Sequence, residues 1–111
     1  MKRATTLLTA NALIHGEREE TYGHPSVSFQ RIADLWSIIL ETGVSPMQVV
    51  LCMDALKTAR LIQNPHDLDG WIDKTGYSAL GAEIQAIEAN PDLEGEEPGG
   101  DEAARDRIIN G

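Results

Sequence analysis

The chain has 111 residues, 41% of them apolar, which is enough for one domain with a modest core. Eighteen acidic and nine basic residues give a formal net charge of −9, which disfavours binding to nucleic acid and to an anionic membrane surface. The single cysteine, Cys52, excludes an internal disulfide and a zinc site built from several cysteines.

The N-terminal segment is predicted to form one helix across residues 4–21. Its apolar residues Leu7, Leu8 and Ile14 recur at spacings that place them near one helix face. Gly23 is a suitable residue to end this helix. No apolar run approaches the ~18 residues that a membrane span needs, so we expect a protein of the cytoplasm.

Two further helices are predicted in the middle of the chain. The second begins after Pro25, with Ser26 as the expected N-cap, and ends at Gly43. Ser45 and Gln48 have the spacing of a capping box, which predicts the start of a third helix.

The fourth predicted helix runs from residues 67–69 to Glu88 and has an alanine-rich face that includes Ala79 and Ala82. No window alternates apolar and polar residues as a strand does, so the pattern predicts an all-α protein, a four-helix bundle over residues 1–89. We expect its remaining apolar surface to be buried in a homodimer or homotetramer. Residues 90–111 hold seven acidic and two basic residues among Gly and Pro, which predicts a flexible acidic tail.

Acidic residues on two of these helices are candidate metal ligands. Glu17 and Glu20 near the end of the first helix share a face, as do Asp69 and Asp73 at the start of the fourth. If the two pairs converge, their oxygen atoms suit Mg²⁺ or Mn²⁺ better than Zn²⁺. The competing interpretation is that these carboxylates are solvated surface charges, with Asp69 in a favourable first-turn position.

Lys57 and Arg60 lie three residues apart on one side of the third helix. They could bind a phosphate, since lysine provides a localised positive charge and the arginine guanidinium can donate two parallel hydrogen bonds. Alternatively they are ordinary surface charges, because basic residues in the second half of a helix suit its dipole.

Three stretches of the sequence resemble a phage-encoded helical family: HGEREETYGHP at residues 15–25, ALKTAR at residues 55–60 and DGWIDKTGY at residues 69–77. Members of that family are commonly described as MazG-like nucleotide pyrophosphohydrolases, and the resemblance covers about residues 12–88. The broader MazG-like superfamily is all-α, binds Mg²⁺ or Mn²⁺ through four acidic residues on two helices, and acts as dimers or tetramers.

The resemblance implies an enzyme that splits (d)NTP into (d)NMP and pyrophosphate. Glu17, Glu20, Asp69 and Asp73 then correspond to the metal ligands, and Glu20 helps to deprotonate the attacking water. Gly70 stands where the superfamily pattern has a glutamate, so Asp69 would have to replace it. Lys57 and Arg60 would stabilise charge on the phosphates, and the residues expected to contact substrate are Arg18, Tyr22, Lys57, Arg60, Trp71 and Tyr77.

Two other functions compete with the enzyme. The first is a nucleotide-binding protein of the same fold that sequesters its ligand without hydrolysis, which the glycine at position 70 favours. The second is a structural or adaptor protein that docks through its acidic tail. For the enzyme, a purine nucleotide such as (d)GTP or dATP is the expected substrate. Phages that modify their purines would benefit from lowering the concentration of one purine nucleotide in the cell.

Overall fold

A computed structural model describes residues 1–91, without the side chains of residues 17 and 18. Within this range the chain is helical and contains no strand, which confirms the all-α prediction. Apart from residues 90 and 91, the predicted acidic tail lies outside the described residues. The helices are α1 (Arg3–His15), α2 (Glu17–Tyr22), α3 (Pro25–Leu40), α4 (Pro46–Gln63) and α5 (Leu68–Ala89).

The prediction of one continuous helix over residues 4–21 was wrong, because the chain breaks at Gly16. Gly16 has φ −85° and ψ −132°, and its N–H donates to the carbonyl oxygen of Ala12 at 3.0 Å. A Cβ at Gly16 would lie 2.9 Å from that same oxygen, closer than side chains normally approach. The helix restarts at Glu17 with a new rotational phase, and it ends before Gly23 as predicted.

The start of α3 is capped by His24 and not by Ser26, and α3 ends at Leu40, short of Gly43. His24 Nδ1 accepts the backbone N–H of Ser26 at 3.2 Å. A ring nitrogen that accepts carries no proton, so the proton of a neutral His24 lies on Nε2. Nε2 is 3.2 Å from Glu83 Oε1, and His24 therefore ties the start of α3 to α5.

The predicted capping box at the start of α4 is confirmed. Ser45 Oγ accepts the N–H of Gln48 at 3.2 Å, and Gln48 Oε1 accepts the N–H of Ser45 at 2.9 Å. These reciprocal bonds satisfy two N–H groups that the first turn of a helix leaves without partners.

α5 is the central helix, since it contacts α1, α3 and α4. Its buried face differs in part from the prediction: Ile72, predicted on the same face as the alanines, is buried, but Ala79 and Ala82 are exposed and Tyr77 is buried. The main core cluster contains Phe29, Ala33, Val49, Val50, Tyr77, Leu80 and Ile84. None of the helices in residues 1–91 combines the length and the apolarity needed to cross a membrane.

Large apolar side chains remain exposed on the outer faces of α1 and α3. Leu7 and Leu8, predicted to face the core, are 51% and 69% exposed, and Ile38 and Ile39 are 73% and 74% exposed. Surfaces of this kind are common at subunit interfaces. The homo-oligomer stays a prediction.

Candidate functional site

A cleft of about 610 Å³ lies between α1, α2 and α5. This volume is within the range of about 300–1,000 Å³ that is typical of small-molecule sites. Its walls are mainly apolar, and Asp73 supplies a carboxylate. We call it the α1–α5 cleft; it is lined by Ala10, Ala12, Leu13, Ile14, Thr21, Tyr22, Ile72, Asp73, Gly76, Tyr77 and Leu80.

Two of the predicted site residues are bonded to each other at this cleft. Lys57 Nζ on α4 lies 2.9 Å from Asp73 Oδ2 on α5, with 17% and 34% of the two side chains exposed. One turn away, Lys74 Nζ on α5 lies 2.9 Å from Asp54 Oδ1 on α4. The two ion pairs cross the same helix interface with opposite polarity, so each helix contributes one acidic and one basic residue.

Two predicted substrate-contacting tyrosines also line the cleft, in different environments. Tyr22 is 63% exposed at the end of α2, and Tyr77 is 8% exposed within the core cluster. Tyr22 is therefore available to a ligand as a mobile aromatic ring, whereas Tyr77 forms part of a fixed wall.

The other predicted residues are more dispersed. Glu20, Asp69 and Arg60 are exposed, and none of them lines a cleft in the described part of the chain. Trp71 Nε1 donates to the carbonyl oxygen of Pro65 at 2.9 Å, so this side chain fixes the turn between α4 and α5.

The three predicted metal ligands whose side chains are described, Glu20, Asp69 and Asp73, do not form a cluster. Among the residues whose side chains are described, no three His, Cys, Asp or Glu residues gather closely enough to hold a metal ion. Glu17 and Arg18 belong to α2, but their side chains are outside the described set. The convergence of the two carboxylate pairs stays a prediction.

The glycine at position 70 has a packing role. Gly70 is buried near the start of α5, and a Cβ there would lie 2.8 Å from Leu61 Cδ2 and 3.1 Å from Leu61 Cγ. Leu61 is itself only 4% exposed and has little room to move. A glutamate at this position would displace Leu61, so the close contact between α4 and α5 favours glycine here.

A second cleft, of about 290 Å³, contains two charged residues that the sequence reasoning missed, Glu19 and Arg31. Within a helix that begins at Glu17, Glu19 and Tyr22 lie three residues apart and share a face. The spacing of the acidic residues gave no signal for Glu19, because spacing alone does not show which of them faces a cleft. We call this the α2–α3 cleft; it is lined by Ile14, Glu19, Tyr22, Gly23, Pro25, Ser28, Phe29, Arg31, Ile32, Met53, Tyr77 and Leu80.

A third, shallower cavity of about 380 Å³ runs along the contact between α4 and α5. We call it the α4–α5 groove; it is lined by Met47, Val50, Leu51, Asp54, Tyr77, Ser78, Gly81, Ala82 and Gln85.

The fold and these clefts define an all-α protein with adjoining cavities of ligand size and an ion pair at the larger one. The chain belongs to the family described as "Domain of unknown function (DUF6378)", whose model matches residues 5–85.

Two curated relatives are mycobacteriophage proteins. The chain is 38% identical over 87 residues to the "Gene 55 protein" of Mycobacterium phage D29, a match that covers 78% of this chain and 55% of the relative. It is 34% identical over 84 residues to the "Gene 55 protein" of Mycobacterium phage L5, covering 74% and 53% respectively. The chain thus spans about half the length of these relatives. No solved structure gives a significant match.

Proposed function

We propose that this protein is a MazG-like nucleotide pyrophosphohydrolase that converts a (d)NTP to the (d)NMP and pyrophosphate, with Mg²⁺ or Mn²⁺ as cofactor. In this proposal the protein is a cytoplasmic homo-oligomer, and its activity changes the composition of the nucleotide pool available to the phage. The phage origin of both curated relatives is consistent with that setting.

One observation carries the proposal: a carboxylate, Asp73, and two tyrosines line the α1–α5 cleft, and Lys57, which is not itself a lining residue, is bonded to that carboxylate. A nucleoside triphosphate needs a surface for its base and groups that compensate the charge of its phosphates. Tyr22 and Tyr77 offer aromatic surface, and Lys57 offers the positive charge.

The chemistry of the donors fits a hard divalent cation, since every candidate ligand is a carboxylate. Asp73 is the candidate that lines the cleft, and Glu17, Glu20 and Asp69 complete the proposed set. A bound Mg²⁺ or Mn²⁺ would neutralise phosphate charge and lower the pKa of a coordinated water.

The chain's own residues would position the reactants, accept a proton and stabilise charge. Glu20 would accept the proton of the attacking water, whose oxygen bonds to the α-phosphorus while pyrophosphate leaves. Lys57 and Arg60, with Arg18, would stabilise negative charge on the phosphates. Lys57 would exchange its contact with Asp73 for one with a phosphate oxygen, both of them charge-assisted hydrogen bonds.

The direct test is incubation with a panel of dNTPs and NTPs plus Mg²⁺ or Mn²⁺, with chromatography of NMP and pyrophosphate. Turnover is expected for the wild type and should disappear in Asp73→Asn and in Glu20→Gln. Asp54→Asn is a matched control, because it breaks the other ion pair between α4 and α5 and should retain turnover. A wild type that releases no NMP with either metal contradicts the enzyme.

A non-catalytic, nucleotide-sequestering protein is the second candidate, favoured by the contact that Leu61 would make with any side chain at position 70. Tight nucleotide binding by calorimetry without any turnover would support it. Neither binding nor turnover, with a melting temperature insensitive to metal and nucleotide, would leave a structural or adaptor role.

A further inference from the structure

The α2–α3 cleft combines apolar walls with two opposite charges. Phe29, Ile32 and Met53 provide apolar surface, whereas Glu19 and Arg31 come from the two facing helices. Glu19 is half-buried and Arg31 is exposed. Within residues 1–91, as far as side chains are described, these two residues form no ion pair with each other.

The charges make this cleft a poor site for phosphates, since the carboxylate opposes the attraction of the guanidinium. They suit a neutral, planar group that has hydrogen-bond donors on one edge and acceptors on the next. The cleft adjoins the α1–α5 cleft, with which it shares Ile14, Tyr22 and two further residues.

We propose that the α2–α3 cleft binds the guanine base of the nucleotide. Glu19 accepts from the N1–H and the 2-amino group, and Arg31 donates to O6 and N7, the pairing that arginine commonly makes with guanine. This inference rests on the proposed function, because it places the phosphates in the neighbouring cleft beside Lys57 and Asp73.

Other bases match the two charges less well. Adenine presents N1 as an acceptor toward the carboxylate, which repels it, and cytosine offers Glu19 a single amino group. Guanine alone lets both side chains form two hydrogen bonds each, so the discrimination comes from the edges of the base and not from its size.

The test uses the full chain and nucleosides without phosphates or metal, followed by NMR titration. Deoxyguanosine should bind about tenfold more tightly than deoxyadenosine, deoxycytidine or deoxyinosine, which lacks the 2-amino group. 7-Deazadeoxyguanosine, which lacks N7, should also bind about tenfold more weakly than deoxyguanosine.

Two variants separate base recognition from a merely structural role. Glu19→Gln should reduce the preference for deoxyguanosine over deoxyinosine, and Arg31→Gln should reduce the preference for deoxyguanosine over the 7-deaza analogue. Glu88→Gln removes an exposed carboxylate of α5 that lines no described cleft, and it should keep both preferences. Equal binding of the nucleosides, or preferences unchanged in both variants, overturns the proposal.

The proposed guanine site and the proposed pyrophosphohydrolase activity can be tested independently of each other. Selective binding of deoxyguanosine without hydrolysis of any triphosphate supports the base site and contradicts the pyrophosphohydrolase. Hydrolysis of all four dNTPs at equal efficiency supports the enzyme and contradicts the guanine site.

Discussion

Lys57 Nζ lies 2.9 Å from Asp73 Oδ2, so a residue expected to grip phosphate is bonded to a residue expected to hold a metal. In the absence of ligand the two side chains compensate each other's charge at the edge of the α1–α5 cleft. A cation that binds Asp73 competes with Lys57 for the same carboxylate, and the lysine that it displaces is then available to an anionic ligand.

The ion pair itself should contribute little to stability, because both partners are partly exposed. In a double-mutant cycle of Lys57→Met and Asp73→Asn, we expect a coupling energy of about 0.5 kcal/mol in urea denaturation. Lys57→Met combined with Asp34→Asn, whose carboxylate lies on α3, is the control and should be additive. A coupling above about 2 kcal/mol would contradict this estimate and indicate a much less solvated pair.

Gly70→Ala should destabilise the protein by about 1–3 kcal/mol, because the new Cβ overpacks against Leu61. The free energy of unfolding from urea melts measures this loss. In a Leu61→Ala background the same change should cost less, since the clashing atoms are gone. Gly43→Ala, where a Cβ would meet nothing within 4 Å, is the matched control and should be close to neutral. An equal cost in both backgrounds contradicts the contact with Leu61.

His24→Ala should lower stability by about 1 kcal/mol, because it removes the acceptor that caps α3. His24→Asn should restore most of this loss, since asparagine is a favoured N-cap residue, although it does not reproduce the contact with Glu83. Thermal melting of the three proteins at one pH measures both effects. If Asn is no better than Ala, the contact with Glu83 and not the cap holds α3 in place.

Substitution of the two tyrosines should have different effects, one mainly on nucleotide binding and the other mainly on the stability of the fold. Tyr22→Ala should weaken nucleotide binding by about 1–3 kcal/mol through lost stacking and change stability by less than about 0.5 kcal/mol, because the ring is exposed. Tyr77→Ala should instead destabilise the fold by about 3–5 kcal/mol, because its ring belongs to the core. Calorimetric binding and urea denaturation of both variants test this difference. A strongly destabilised Tyr22→Ala would contradict it.

The helix boundaries were predicted best where a local sequence signal determines where a helix begins or ends. The capping box of Ser45 and Gln48 marks the start of α4, and Gly23 marks the end of α2. The prediction failed at Gly16, where a glycine inside a helical pattern permits a break but does not require one. On α5 the sequence predicted the burial of Ile72 but not that of Tyr77, because burial of Tyr77 depends on which helices surround it and not on the alanine spacing.

Residue type and spacing identified part of the candidate site. They selected Asp73, Lys57, Tyr22 and Tyr77, but the ion pair between the first two joins different helices and has no local signature. Glu19 was missed because its place in the α2–α3 cleft depends on how α2 packs against α3, which the spacing of the acidic residues does not reveal.

Tyr77 borders the α1–α5 cleft, the α2–α3 cleft and the α4–α5 groove. Tyr77 is packed in the core, so a substitution that changes its ring would alter the shape of all three cavities at once.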